Sequence, residues 1–287
     1  MRTAVRWILL IWLMALADGW SQDPAQVLKK QKEAAAEAWK SLELGDAETT
    51  ETAHLLLFAS KRGKDRLKSA ASSLEKYHAT ARKLLSQSEA DAHPGKVAVF
   101  LLDSPEDLTA YIRRVEKRRP ESKELGTYQI GGELPRVAAC PGTNKWDPPS
   151  EARCGEMLAA LLMQQKAKPS TPLPPWLSRG FGRATSFRVL GNTSRWLAEQ
   201  RKLMRAAARK YDSKAIWDGS LEPEEAEPLQ ASFAEFLSYG LGSARFVKLL
   251  ESFVPGENQE SVSTSQALEK AGLKGDRVEL SWKSWVK

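Results

Sequence analysis

The order of the predicted elements constrains the fold most, because strands are confined to the first half of the chain. Apolar runs at residues 53–58 and 96–102 are bounded by polar residues and have the length of buried strands. Residues 126–130 and 136–139 flank Gly131-Gly132 and predict two strands of a hairpin. From residue 150 onward the apolar spacing predicts helices only, over residues 151–165, 177–189, 193–211, 228–239, 243–253, 262–271 and 277–286. Strands and helices in separate blocks predict an α+β fold, a small mixed β-sheet with packed helices followed by an all-helical C-terminal lobe.

Three further helices are predicted among the strands. Residues 25–42 are amphipathic and are interpreted as a lid or spacer, and residues 65–85 carry one continuous apolar face. The third helix begins at Ser104-Pro105, since serine is a good N-cap and proline suits the first helical position. These elements divide the chain into an N-terminal helix at 24–45, an α/β sheet subdomain at 50–165 that includes the helix predicted at 151–165, and a helical subdomain at 166–287.

The first seventeen residues have the pattern of a signal peptide. Arg2 and Arg6 precede an apolar run at residues 7–17, which ends in Ala15-Leu16-Ala17, small residues at the spacing that signal peptidase reads. The run is much shorter than the roughly 20 residues of a spanning helix. We therefore expect a signal peptide at 1–17, an exported protein (periplasmic, secreted or associated with the cell envelope) and no membrane span after cleavage. Retention of the leader as an uncleaved anchor is the alternative.

The charge distribution argues against nucleic acid as a partner. Removal of residues 1–17 takes away Arg2 and Arg6 and lowers the net charge from +7 to +5. The remaining charges are interleaved, and the basic residues lack the aromatic platform on which single-stranded nucleic acids stack. We expect no nucleic-acid binding.

The chain has two cysteines, Cys140 and Cys154. Export to an oxidising compartment favours a disulfide between them, which would close a loop of about 15 residues worth about 3 kcal/mol in the chain-entropy model. Two buried thiols are the alternative.

Two segments in the middle of the chain lie on consecutive predicted helices and carry a recognisable pattern. Residues 153–159 read Arg-Cys-Gly-Glu-Met-Leu-Ala, and residues 175–183 read Pro-Trp-Leu-Ser-Arg-Gly-Phe-Gly-Arg. With the strand and helix order around them, they resemble the gluzincin clan of zinc metallopeptidases, in particular the peptidase MA-like proteins of bacterial secretomes. The resemblance covers roughly residues 52–287 and implies a zincin-like fold.

The resemblance also implies that the zinc site is degenerate. Working members carry His-Glu-x-x-His on the first helix and Trp-Leu-x-Glu-Gly on the second, so Gly155, Ala159 and Arg179 stand where the three ligands would be. Arg183 stands at the supporting acid, and only Glu156, aligned with the general base, is retained. Because glycine, alanine and guanidinium donate no ligand atom to zinc, we expect no metal, no cofactor, no catalytic residue and no enzymatic activity.

The candidate cleft residues are Arg153, Glu156, Arg179, Arg183 and Trp176. Arg179 is expected to replace the zinc charge by pairing with Glu156. Two alternatives remain: exposed side chains with no mutual contact, or an anion site made by the three arginines. For Trp176 a buried hinge anchor is favoured over a platform for a ligand.

The other reactive side chains predict no further site. The histidines, His54, His78 and His93, are too far apart in sequence for two to share a helical turn, so no replacement metal site is expected. Nothing in the sequence brings a base to Cys154, so cysteine catalysis is not expected.

The predicted function is binding of an unknown peptide or protein in the vestigial cleft, by addition of an extended segment to the strand at residues 136–139. The competing hypotheses are a hydrolase that uses non-standard residues and a structural protein of the cell envelope.

Overall fold

The computed structural model describes residues 23–88, 95–131, 134–143, 147–191, 195–256 and 261–286. The predicted signal peptide, His93 and Gly132 lie outside these ranges. The described residues contain a mixed five-stranded sheet and many helices, so the α+β class is confirmed.

The sheet has the strand order β1-β2-β3-β5-β4. Strands β2, β3 and β5 run parallel, while β1 and β4 are antiparallel edge strands. β1 was not predicted, because Glu-Thr-Thr-Glu alternates between half-buried and exposed and offers no apolar side. The strand bounds are Glu48–Glu51 for β1, Leu55–Ala59 for β2, Val97–Leu101 for β3, Gly126–Gln129 for β4 and Arg136–Ala139 for β5.

Ten α-helices lie in the described ranges. Their bounds are Pro24–Lys40 for α1, Lys64–Leu84 for α2, Pro105–Arg114 for α3, Ser150–Lys166 for α4, Pro175–Leu190 for α5, Arg195–Lys210 for α6, Pro223–Glu235 for α7, Ser243–Ser252 for α8, Thr264–Lys270 for α9 and Gly275–Val286 for α10. Ser104 is the N-cap of α3, as predicted, and its Oγ accepts a hydrogen bond from Asp107 N. Within the described part of the chain, no helix combines the length and the apolar character needed to cross a bilayer.

Helices cover both faces of the sheet. Strands β2 and β3 are buried along their whole length, which explains why they are continuous apolar runs and do not alternate. One face packs against α2 and α4, and the other against α1 and α3. The expectation that the first helix is a lid or spacer is wrong, because Ala35 and Trp39 of α1 are buried in the second of these cores.

The helical lobe shares a core with the sheet. The apolar cluster on the α2 and α4 face continues without a break from Leu55 to Trp282. Helix α5 lies at its centre and packs closely against both α4 and α7. The lobe therefore fixes the position of α5 relative to the sheet.

The expected disulfide is absent, and Cys140 and Cys154 are buried free thiols. Cys140 lies in the core on the α1 and α3 face of the sheet, whereas Cys154 lies in the core on the opposite face. Burial raises the pKa of Cys140 to about 11 and raises that of Cys154 further. Both side chains therefore remain protonated, weakly reactive thiols near neutral pH.

Candidate functional site

A cleft of about 380 Å³ lies between the segment that leads into β4 and helices α4, α5 and α7. It brings together four of the five predicted cleft residues, Arg153, Glu156, Arg179 and Arg183. The remaining lining residues are Glu121, Ser122, Lys123, Glu124, Leu125, Gly126, Met157, Gly180, Pro223, Glu227, Gln230 and Ala231.

Trp176, the fifth predicted cleft residue, does not line this cleft. Its ring is buried among the rings of Trp217 and Phe233, and its Nε1 donates to Thr264 Oγ1 at 3.2 Å. Trp176 is thus the buried anchor that the sequence analysis favoured.

Glu156 forms a buried ion pair with Arg183 in place of the expected pair with Arg179. Arg183 Nε donates to Glu156 Oε1 at 2.6 Å, and Nη2 lies 3.4 Å from Oε2. The two side chains are 16% and 4% exposed. Burial by itself would lower the pKa of Arg183, but the charge of Glu156 outweighs it and raises that pKa. The guanidinium also donates to Gln200 Oε1 at 3.0 Å and lies 4.9 Å from the ring centre of Trp196.

The ion pair extends to α2 through two hydroxyl groups. Tyr77 Oη donates to Ser186 Oγ at 3.0 Å, and Ser186 Oγ donates to Glu156 Oε1 at 3.1 Å. Burial raises the pKa of Tyr77, so its hydroxyl keeps the proton that it donates. Helices α2, α4 and α5 are therefore joined by one buried polar network.

Tyr77 also explains the glycine at the first lost ligand position. A Cβ on Gly155 would lie 2.6 Å from the Tyr77 ring, closer than carbon atoms can approach. Ala159, one turn later on α4, is fully buried in the apolar core. Neither residue lines the cleft, and the space beside position 155 is filled by the Tyr77 ring.

Arg179 lies at the mouth of the cleft and is largely exposed. Its Nη2 donates to Glu121 Oε2 at 3.0 Å, and both side chains are mainly in solvent. A zinc ion of the gluzincin type does not fit these residues. Gly155 faces the Tyr77 ring, Ala159 faces the apolar core, and Arg179 carries a positive charge.

Arg153 differs from the other cleft arginines in its hydrogen bonding. Its Nε is buried and has no hydrogen-bond partner among the described residues. Its Cγ lies beneath β4, 3.3 Å from where a Cβ on Gly126 would be. Arg153 is therefore a half-buried arginine that lines the cleft next to a strand edge and has a buried Nε without a described partner.

The strand edge beside the cleft is β4, not the predicted strand at residues 136–139. β5 pairs with β3 on one side and β4 on the other, so its backbone groups are already used. Leu125 O accepts from Cys140 N at 3.1 Å, which sets the alternation of the β4–β5 ladder. In that alternation the N–H and C=O groups of Gly126 and Tyr128 point away from β5, toward the open edge.

Three members of the site were not predicted from the sequence: Tyr77, Ser186 and Gln200. Tyr77 lies on the apolar face of α2 and was interpreted as a core residue. Ser186 and Gln200 belong to no recognisable sequence motif. The one available signal was Gly155 itself, because a glycine inside a helix costs about 1 kcal/mol relative to alanine and often marks close approach of another group.

Sequence comparison adds no relative with which to interpret this site. No protein-family model matches the chain, and no curated protein is significantly similar to it in sequence. The gluzincin resemblance therefore rests on residues 153–159 and 175–183 and on the order of the elements.

Proposed function

We propose that this chain is an exported, non-catalytic relative of the gluzincins that binds an extended, carboxylate-bearing peptide in the cleft. The observation that carries the proposal is the combination of the edge of β4 with Arg153, which lines the cleft beside Gly126 and has no ion pair among the described residues. The support for export is the signal-peptide pattern at residues 1–17 of the sequence.

The open edge supports binding of backbone. Gly126 and Tyr128 offer two N–H and two C=O groups in the geometry that an added antiparallel or parallel strand uses. Gly126 itself lines the cleft, so a peptide paired there would run along the cleft wall. In zincins the strand that borders the cleft pairs with substrate backbone, and this pairing needs no metal.

The cleft charges support a carboxylate on the ligand. Arg183 and Arg179 are paired with Glu156 and Glu121, so their charges are largely neutralised within the protein. Arg153 is the cleft arginine whose buried Nε has no described partner. Guanidinium binds carboxylate through strong charge-assisted hydrogen bonds, which favours an acidic side chain or a C-terminal carboxylate near Gly126.

The same geometry supports the absence of catalysis. A general base needs a carboxylate oxygen directed at a water or substrate proton. Glu156 Oε1 accepts from both Arg183 and Ser186, and Oε2 faces the same guanidinium. Its role is to hold α4 and α5 together.

Peptide binding is tested by capture of decapeptides on immobilised protein from a pooled library, half with free and half with amidated C-termini. We expect captured peptides to carry at least one carboxylate. Arg153→Gln should weaken binding of a selected fluorescent peptide by about 10- to 100-fold, since hydrogen bonds to charged groups contribute about 1.5–3 kcal/mol. Fluorescence anisotropy gives the affinities. Methylation of alternate backbone nitrogens in the peptide should weaken binding in one register and not in the other, because successive N–H groups of a strand point to opposite sides.

The matched control is Arg209→Gln, which removes an exposed arginine of α6 that does not line the cleft. Its affinity should equal that of the wild type. Failure to capture any peptide, or equal affinity of both methylated registers, contradicts the proposal.

The gluzincin ancestry is tested by restoring the zinc ligands. Gly155→His, Ala159→His and Arg179→Glu together should not yield a folded zinc protein, because Tyr77 occupies the space beside position 155. With Tyr77→Ala added, we expect uptake of one zinc per chain. The measurement is zinc content after gel filtration, in a His54→Ala/His78→Ala background that removes both described histidines. A folded fourfold variant without zinc contradicts the ancestry and leaves the peptide proposal standing.

A further inference from the structure

Two histidines that are distant in sequence meet at the start of β2. His54 immediately precedes β2, and His78 lies on α2, one turn after Glu75. The two imidazole rings stack with centres 4.2 Å apart and planes at 24°. His54 Nδ1 lies 2.8 Å from Glu75 Oε2. One possible ligand atom from each of the three residues lies within 4.8 Å of the other two.

The expectation of no replacement metal site rested on the sequence positions of the histidines alone. Their separation in sequence excluded a shared helical turn and gave no indication of the distance between a strand and a helix. The packing of α2 against the sheet brings them together.

Glu75 is fixed by hydrogen bonds in this cluster. Its carboxylate accepts from Thr52 Oγ1 and lies within hydrogen-bond distance of the His54 ring. These contacts also fix the side chain, since Glu75 Oε1 accepts from His54 N at 3.0 Å. The carboxylate is therefore oriented toward His54.

A small recess of about 30 Å³ opens beside the histidines. It is lined by Lys96, whose ammonium is paired with Glu51 at 2.8 Å, so this cation is locally compensated. Arg82 also lines the recess and donates to Ser88 O at 2.7 Å. The recess includes Gln165 as well, whose buried Nε2 has no hydrogen-bond partner among the described residues.

We propose that His54, Glu75 and His78 form a binding site for a divalent transition metal of the Zn²⁺ class. Two imidazole nitrogens and one carboxylate oxygen are a donor set that zinc prefers, and they leave a fourth position for water. Binding of one ion by all three residues would replace the hydrogen bond between His54 Nδ1 and Glu75 Oε2 with bonds to the metal. None of the residues that line this recess lines the peptide cleft, so the proposal is independent of the proposed function.

The test is titration of metal-free, full-length protein with Zn²⁺ by calorimetry, with Co²⁺ absorption as a second readout. We expect one saturable site per chain. His54→Gln and His78→Gln should each abolish saturable binding, and Glu75→Gln should weaken it by about 10- to 100-fold. His93→Gln, which removes the third histidine, should bind like the wild type and is the matched control.

Absence of saturable Zn²⁺ binding by the wild type overturns the proposal, and so does equal binding by a folded His54→Gln/His78→Gln variant. Since His78 is buried, circular dichroism should establish that each variant is folded. If a variant is unfolded, X-ray absorption of the wild-type Co²⁺ complex decides the question. Two imidazoles in the first coordination sphere support the site, and none or one contradicts it.

Discussion

Replacement of Arg183 by methionine should lower the free energy of unfolding by about 3–5 kcal/mol, the cost of leaving a buried charge without its partner. The substitution leaves the carboxylate of Glu156 in a nearly inaccessible position, with Ser186 Oγ as its remaining described donor. Urea denaturation followed by circular dichroism measures the change.

The partner substitution and the double variant identify the cause. Glu156→Gln should also destabilise the protein, because Arg183 then keeps its charge without the 2.6 Å ion pair. Glu156→Gln combined with Arg183→Met should lose much less stability than the two single losses added together, since no unpaired charge is left. Additive losses, or single losses below about 1 kcal/mol, would show that the pair is not the buried link that we infer.

Substitution of Gly182 by alanine should destabilise the protein by about 1–3 kcal/mol, despite the higher helix propensity of alanine. A Cβ at this position would lie 2.5 Å from the backbone oxygen of Glu156 and 3.0 Å from its carbonyl carbon. Backbone atoms cannot rotate away as a side-chain terminus can. The helices α4 and α5 would have to separate, which would also strain the Glu156–Arg183 pair.

Gly275→Ala is the matched control for this prediction. Gly275 is the first residue of α10, and a Cβ there would meet no atom within 4 Å. Its thermal unfolding midpoint should stay the same or rise slightly. A wild-type midpoint for Gly182→Ala would mean that α4 and α5 do not approach as closely as described.

These two predictions concern one physical feature, the contact between α4 and α5. In the gluzincin interpretation these helices are the ones that would share a metal. Here the contact is made by glycine at close approach and by one ion pair with its hydroxyl neighbours. The peptide proposal uses the outer side of the same helix pair, where Arg153 and the edge of β4 lie.

Local features were predictable because local sequence decides them. Strands β2 and β3 are apolar runs too short for helices, and Ser104-Pro105 satisfies the first free N–H groups of α3 whatever the rest of the chain does. Edge strand β1 shows the limit of this approach, because its pairing with β2 is made by backbone groups that leave no pattern in Glu-Thr-Thr-Glu.

Pairwise features were not predictable to the same degree. The disulfide prediction failed because the sheet separates Cys140 from Cys154, although only thirteen residues lie between them in the sequence. The prediction of a Glu156–Arg179 pair was wrong. Glu156 pairs with Arg183, one turn further along α5, because the crossing of α4 and α5 places that turn over Glu156. The order of strands decided that β4, not β5, has the open edge.

The sequence by itself determined the α+β class, most of the helices and strands, and the presence of a carboxylate and several arginines on two neighbouring helices. Those features follow from the periodicity of apolar residues and from capping, which act over a few residues. Only the tertiary structure decided that Tyr77 lies against Gly155, that Arg153 Nε has no partner among the described residues and that His54 meets His78. Each of these depends on distances of a few ångströms between segments far apart in the chain, and such distances are set by the packing of the whole core.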